Sequence, residues 1–469
     1  MLALYPHPDG RRWVLWTPLG HYTASAGGED LIAWHVNNGA EQTPEVFGAS
    51  RFRERFHRPD VIARVLEAGD PAAALRLANA AHAQARPGAA AAAEPAADTT
   101  QATARAISEL LPPTLTLLSP APGTVVDSQR LTLLYQATSS TGPIEKVLAR
   151  FDGRPAEVIE DIVATRAADG GTQVGQMTLR IPAQDGTAEL IGLNRHGAGE
   201  PTRFLVQWGG GSDAYKPRLF LLAVGVGAYA DASLRLQFAA ADAQALAEQV
   251  EHQRGGLYRE VLVRLLPDAK ATKAKVLDGL QWLRRQVGQR DVAAVFLAGH
   301  GVRDEYDDYF FLTHDADPLD PLGSALSNDE IRKFLRTIAG KTVLLLDTCY
   351  SGALRAGRGT PDSLPDIDRL ANELADADSG VVVLASSTGK ELSLEHPDWG
   401  HGAFTYALLE AVRDGKADYQ RNGHVTIDEL GLYVDHCVRK LTKGRQHPTI
   451  TKPKAVPNYP MFRVPRAPA

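Results

Sequence analysis

Only two cysteines, Cys349 and Cys437, occur among 469 residues. So few exclude a disulfide framework and fit a reducing compartment. No apolar run approaches the roughly 18 residues a membrane helix needs. The N-terminus, Met-Leu-Ala-Leu-Tyr-Pro-His-Pro-Asp, has neither a basic region nor an apolar core of signal-peptide length. The expectation is a cytoplasmic chain with no membrane partner. A basic excess is also missing: the net charge is -6, so no nucleic-acid partner is expected. Histidines such as His401 and His436 show no metal-ligand spacing and read as structural, and Cys437, on an apolar helical pattern, reads as core. Val224-Gly225-Val226-Gly227 followed by Ala230 imitates a dinucleotide fingerprint. Without a phosphate-binding lysine motif, a nucleotide switch is the weakest reading.

The chain is long enough for two to four domains. Residues 1–85 are rich in tryptophan, glycine and histidine and have little periodic pattern, as expected of a small accessory segment. Arg12 to Trp16 is strand-like, Gly27-Gly28-Glu29-Asp30 is a turn, and helical patterns open at Asp60 and Pro71. Residues 86–111 form an Ala/Pro-rich linker. From 112 to 209 short alternating runs separated by Gly and Pro predict a β-sandwich of immunoglobulin-like type, suited to spacing or to binding a protein partner. Candidate strands start at Thr114, Leu131, Val147, Met177 and Phe204. After Gly209-Gly210-Gly211-Ser212, strands and helices alternate across 213–465. That alternation predicts an α/β domain with a mainly parallel sheet covered on both faces.

Two stretches organise that domain. Val295-Phe296-Leu297-Ala298-Gly299-His300-Gly301 and Val343-Leu344-Leu345-Leu346-Asp347-Thr348-Cys349-Tyr350-Ser351-Gly352 are each apolar runs that end at a reactive side chain beside glycine. Such runs read as strands buried on both faces, and ligands gather at the carboxyl ends of parallel strands. The strands are expected over Val292–Ala298 and Thr342–Asp347, with His300 and Cys349 at one rim. There they suggest a thiolate nucleophile and its base.

The pair Leu-Ala-Gly-His-Gly and Leu-Leu-Leu-Asp-Thr-Cys-Tyr-Ser-Gly resembles the motifs of caspases and metacaspases, and in particular the bacterial caspase-like peptidases called orthocaspases. The order, histidine then cysteine about fifty residues later, agrees with it. So do Leu221 to Val226 with Ala240-Ala241-Asp242-Ala243, Leu384-Ala385-Ser386-Ser387, and Gly402-Ala403-Phe404-Thr405. The resemblance covers about half the chain and implies a caspase-like fold. It implies a cysteine endopeptidase in which Cys349 attacks the scissile carbonyl and His300 moves the proton. It also implies an oxyanion hole from the backbone N–H groups of Gly301 and Cys349. The residue two before the cysteine is Asp347, as in metacaspases, and Asp242 matches a second aspartate of their first helix. Carboxylates recognise guanidinium and ammonium groups, so the expected substrates are proteins or peptides with Arg or Lys before the scissile bond. Ala298 and Ser386 are further expected substrate-pocket residues; Ala298 stands where metacaspases usually carry serine. Arg355 and Arg358, shortly after the cysteine, are candidates for self-cleavage.

The proposed chemistry needs no cofactor. Calcium is the one metal to weigh, since metacaspases often need it. Asp315 and Asp329 lie near their acidic positions, but Asn328 replaces a paired aspartate. Asp418, Asn422 and Glu429 fall on EF-hand positions 1, 5 and 12, with Thr426 and Glu429 offering a capping box as the competing reading. A catalytically silent caspase-fold scaffold, acting through its β-sandwich, is the alternative to a peptidase.

Overall fold

The structure is a computed structural model. It describes residues 1–36, 45–85, 111–163, 171–210, 216–303, 308–350, 367–374, 379–388, 391 and 393–464.

The apolar runs of the C-terminal half become one sheet. β1 (Arg218–Gly225), β2 (Glu260–Pro267), β3 (Val292–Arg303), β4 (Lys341–Tyr350) and β5 (Val381–Ala385) lie in the order β2-β1-β3-β4-β5, all parallel. β6 (Thr449–Thr451) joins the β5 edge antiparallel. Parallel neighbours require crossovers. These include α1 (Ala239–Glu251), α2 (Lys273–Gln286), α3 (Asn328–Leu335) and α4 (Ile367–Leu374), before α5 (Ala403–Arg413) and α6 (Ile427–Leu441) lead to β6.

The two-residue period of the strands divides the core. Leu219, Leu221, Ala294, Phe296, Val343 and Leu345 pack with α1, α5 and α6. Phe220, Leu222, Val295, Leu297, Leu344 and Leu346 pack with α2, α3 and α4. The result is the expected α/β layered domain.

One expectation is corrected here. The strands do not stop at Ala298 and Asp347; β3 runs to Arg303 and β4 to Tyr350. The ladder between them persists through His300 and Gly301, and Tyr309–Phe311 adds an antiparallel partner to Gly301–Arg303. Extra pairing on both sides of β3 holds extended a stretch whose glycines read as a stop.

Between 112 and 209 two sheets share one apolar cluster. Two of their longer strands, Glu157–Val163 and Gly186–Asn194, escaped the sequence reading, as did three two-residue ones. The first is a solvent-facing edge strand rich in acids. The second carries two glycines and the buried Glu189 among its apolar residues. Residues 1–85 hold a three-stranded sheet, a two-stranded one and a helix pair, Pro59–Ala68 and Pro71–Ala85. The expected Gly27–Asp30 turn is largely a 3-10 helix, Gly28–Leu31.

Both N-terminal units grip the α/β domain. The fully buried Arg154 guanidinium donates to the carbonyls of Gly340 (2.9 Å), Ser379 (2.6 Å), Leu335 (2.7 Å) and Ile338. These lie at the end of α3 and at the entrances to β4 and β5. Asn372 of α4 accepts the Gly27 N–H (2.7 Å) and donates to the Ser25 carbonyl (3.1 Å).

Candidate active site

The parallel register between β3 and β4 sets His300 opposite Cys349, Gly301 opposite Tyr350 and Ala298 opposite Asp347. The histidine side chain is buried, 4 % exposed. Its Nε2 lies 2.8 Å from the Leu234 carbonyl. A carbonyl only accepts, so Nε2 carries a proton, and in the neutral form of such a ring the lone pair belongs to Nδ1. The ring of Tyr229 packs on the imidazole at 5.1 Å, and its hydroxyl accepts the His300 backbone N–H at 2.7 Å. This explains Gly299: a Cβ there would come within 2.7 Å of the Tyr229 hydroxyl and 3.2 Å of the Phe311 ring. At Gly301 a Cβ would meet the Tyr309 ring at 2.7 Å. The glycines on either side of the histidine are thus demanded by packed aromatic rings.

A second feature lies beside this rung. Asp347 continues the alternation of Val343 and Leu345 toward α1 and α5. Its Oδ2 accepts the Thr405 hydroxyl at 2.8 Å. Asp242, in the first turn of α1, has Oδ1 2.6 Å from Nδ1 of His401 and accepts the Gly402 N–H on Oδ2 at 3.1 Å. Both carboxyls are buried, 6 % and 2 % exposed. They converge on Gly402, whose missing Cβ would lie 3.0 Å from Oδ2 of Asp347 and 3.2 Å from Oδ2 of Asp242. Asp242 is therefore no solvated helix residue, and Asp347 no strand-end cap.

Burial raises both carboxyls. Asp347 is pushed up to about 7, by burial first and then by the negative charges of Asp242 and Glu395, against the Thr405 hydrogen bond. Asp242 is raised by burial, opposed by the His401 and Gly402 hydrogen bonds. Glu395 is also raised by burial, opposed by the N–H it accepts from Gln237 at 3.1 Å. The short antiparallel strands Glu395–His396 and His401–Gly402 pair Glu395 with Gly402 and carry it to the same place.

Other expected residues lie apart or serve the frame. Ser386 is buried just past β5; its hydroxyl bonds Ser393, whose own hydroxyl reaches the Thr348 carbonyl at 3.1 Å. Arg355 and Arg358 lie outside the described residues. The Asp418 carboxylate accepts the N–H groups of Asn422 (3.0 Å) and Gly423 (2.8 Å). Glu429 forms the capping box with Thr426. Asp315 accepts the Lys273 N–H and the Thr313 hydroxyl, and Asn328 bonds Glu373. Among the described residues no group of three or more His, Cys, Asp or Glu is arranged to hold a metal. The turn that imitated a dinucleotide fingerprint donates its Gly227 and Ala228 N–H groups to the carboxylate of Asp268. Cys437 is buried on α6, and burial pushes its thiol up to about 11.

Glu395, His401, Gly402 and Thr405 were not read from the sequence as site residues. They sit on a hairpin and a helix start far from either motif. The only signal was the family likeness of Gly402 to Thr405, which says nothing of side-chain contacts.

The domain is thus a parallel sheet between two helix layers, with a histidine and a cysteine on one rung near its carboxyl end. The chain belongs to the caspase-domain family, whose model matches residues 218–458, just over half its length. It therefore carries a peptidase domain of the cysteine type, acting on proteins or peptides. No curated protein matches it. Among solved structures, a Geobacter sulfurreducens protein is 21 % identical over 53 % of this chain and 99 % of its own, with a TM-score of 0.39. Titin domains Z1Z2 in complex with telethonin are 13 % identical over 24 % of this chain and 58 % of theirs (TM-score 0.16). The Ig1-2 module of a Drosophila receptor protein tyrosine phosphatase is 14 % identical over 25 % and 62 % (TM-score 0.15). At these TM-scores the likenesses carry no argument. Among the described residues no helix is long and apolar enough to cross a membrane.

Proposed function

We propose that the protein is a cysteine endopeptidase that cleaves after Arg or Lys with a Cys349–His300 dyad. The observation that carries the specificity is the convergence of two buried carboxyls, Asp242 and Asp347, on Gly402 beside the rung that pairs His300 with Cys349. A buried pair of acids is costly without a cation. A guanidinium or ammonium entering there would satisfy both.

The thiolate of Cys349 attacks the carbonyl carbon of the scissile bond. The C=O electron pair moves onto oxygen, where the backbone N–H groups of Gly301 and Cys349 serve as donors. Nδ1 of His300 takes the thiol proton and passes it to the leaving amine as the C–N bond breaks. The hydrogen bond from Nε2 to the Leu234 carbonyl supports that choice of nitrogen. Water then hydrolyses the thioester, releasing the new carboxyl end and restoring the thiol. Self-processing at Arg355 or Arg358 follows from the same specificity. The sheets at 112–209 act as an immunoglobulin-like module that spaces or recruits a partner.

A peptide library cleaved by the full chain, with Cys349→Ala as control and with calcium added or chelated, tests this. Cleavage after Arg or Lys that disappears in the control is the expected result. Preferred cleavage after Asp would overturn the specificity, and activity persisting in Cys349→Ala would overturn the dyad. No cleavage by the wild type would favour the scaffold reading. Recombinant protein that stays intact at Arg355 and Arg358 would dismiss self-processing.

A further inference from the structure

We propose that His401 is a specificity-determining, positioning residue of this site. It holds the Asp242 carboxylate ionised and oriented toward the basic side chain that precedes the scissile bond. The inference rests on the reading of Asp242 and Asp347 as the pocket for that side chain, and it assigns a task to a histidine with no motif of its own.

Asp242 is gripped at both oxygens by two consecutive residues. The His401 ring holds Oδ1 at 2.6 Å and the Gly402 N–H holds Oδ2 at 3.1 Å. Because a carboxylate only accepts, Nδ1 of His401 is the protonated nitrogen. These two bonds fix one rotamer of Asp242, and Oδ2 stays on the side of Gly402 that it shares with Asp347.

The groups around the histidine make that bond necessary. Asp347 approaches from β4, tied to Thr405 of α5. Glu395 approaches from the partner strand, tied to the Gln237 N–H before α1. His396, opposite His401 on the hairpin, is turned to its own loop, where Nδ1 accepts the Asp398 N–H at 3.2 Å. Two buried acids and the half-buried Glu395 thus meet, and His401 is the side chain seen donating to Asp242. An anion buried beside two other acids is held ionised chiefly by hydrogen bonds from donors. Removing the ring would leave Asp242 free to take a proton or change rotamer, and the pocket would lose charge where the substrate cation binds. The imidazole is 24 % exposed, at the margin of the site, which suits a residue that orients another without contacting substrate.

The test compares the full chain with His401→Ala, His401→Asn and His401→Gln, using reporter peptides that differ only in Arg or Gln before the scissile bond. Asn can present an N–H at the position of Nδ1; Gln presents its amide further out. His401→Ala is expected to raise KM for the Arg peptide about tenfold, the worth of a hydrogen bond to a charged group, with kcat changed less than about threefold. Its kcat/KM on the Gln peptide, which brings no cation to Asp242, should fall much less, so the Arg-to-Gln ratio falls several-fold. His401→Asn should recover most of the ratio and His401→Gln little. If His401→Ala keeps the wild-type ratio, or if Asn fails to recover it while the thermal midpoint is unchanged, the proposal falls. A loss of kcat and of stability with KM unchanged would assign His401 a structural role and also overturn it. If His401→Ala does not fold, the Asn and Gln variants decide alone. A wild type without preference for Arg over Gln would refute the basic-pocket reading itself, a result visible before any variant is made.

Discussion

Asp242 and Asp347 reach the same glycine from different layers of the domain, one from the first turn of α1 and one from inside β4. Gly402 has φ -62° and ψ 147°, which any residue adopts. Its need for glycine is therefore spatial. Gly402→Ala would push a methyl group to 3.0 and 3.2 Å from the two Oδ2 atoms. The fold should survive, while KM for an Arg peptide rises about tenfold or more through misplaced carboxylates. Unchanged kinetics with the Arg peptide would disprove the role of this convergence.

The buried acids set a pH dependence. Asp347 is held near 7 in the fold, against 3.8 as its ordinary value. Between those values the folded state binds more protons than the unfolded one, so stability falls as pH rises from about 4 to about 7 and then levels. The contribution is on the order of 4 kcal/mol. Urea denaturation at pH 5 and pH 8 should show the wild type losing stability and Asp347→Asn losing less. A cation bound beside Asp347 favours its ionised form, so KM for an Arg peptide should fall as pH rises through 7. Equal pH slopes for the two proteins would refute the assignment.

His300 and Cys349 pair on one rung of the ladder, and the proposed dyad makes them one unit. Cys349→Ala and His300→Ala should each lower kcat/KM by at least about a thousandfold, and the double variant little further. Multiplying losses in a steady-state assay would show that the residues act separately.

Arg154 offers a test of how the units are joined. It fills four carbonyls at the bottom of the sheet, and burial lowers its pKa to about 9. Arg154→Met would take one donor from each of those carbonyls, of which Gly340 keeps the Thr342 hydroxyl and Leu335 the Ile338 N–H, and should cost on the order of 3 kcal/mol. Chemical denaturation of the full chain measures it; a change under about 0.5 kcal/mol, the scale of a surface substitution, would contradict the burial argument.

Much of the α/β domain is legible from the chain because its signals are local. Runs such as Leu219–Val224 and Val343–Leu346 are apolar at successive positions, as strands covered on both faces must be. The helices at Ala239 and Ile427 begin where periodicity changes to 3.6, the latter with its capping box. Legibility fades where several pairings compete. β3 continues past Gly299 and Gly301 because neighbours on both sides supply hydrogen bonds, and β4 runs on to Tyr350 through its pairing with β3, which no window of sequence contains. Glu157–Val163 and Gly186–Asn194 became strands through their partners in the sheets rather than their own alternation.

The candidate site divides the same way. His300, Cys349, Asp242 and Asp347 stand in motifs whose order and spacing are properties of the chain, and could be named without coordinates. That Asp242 and Asp347 share Gly402, that His401 rather than solvent meets Asp242, and that Tyr229 and Leu234 hold the imidazole depend on packing a hairpin, a loop and two helices against one sheet edge. Strand and helix periods follow from each residue and its near neighbours. Contacts between distant segments follow from the buried arrangement that satisfies all of them together, and that arrangement exists only in the folded domain.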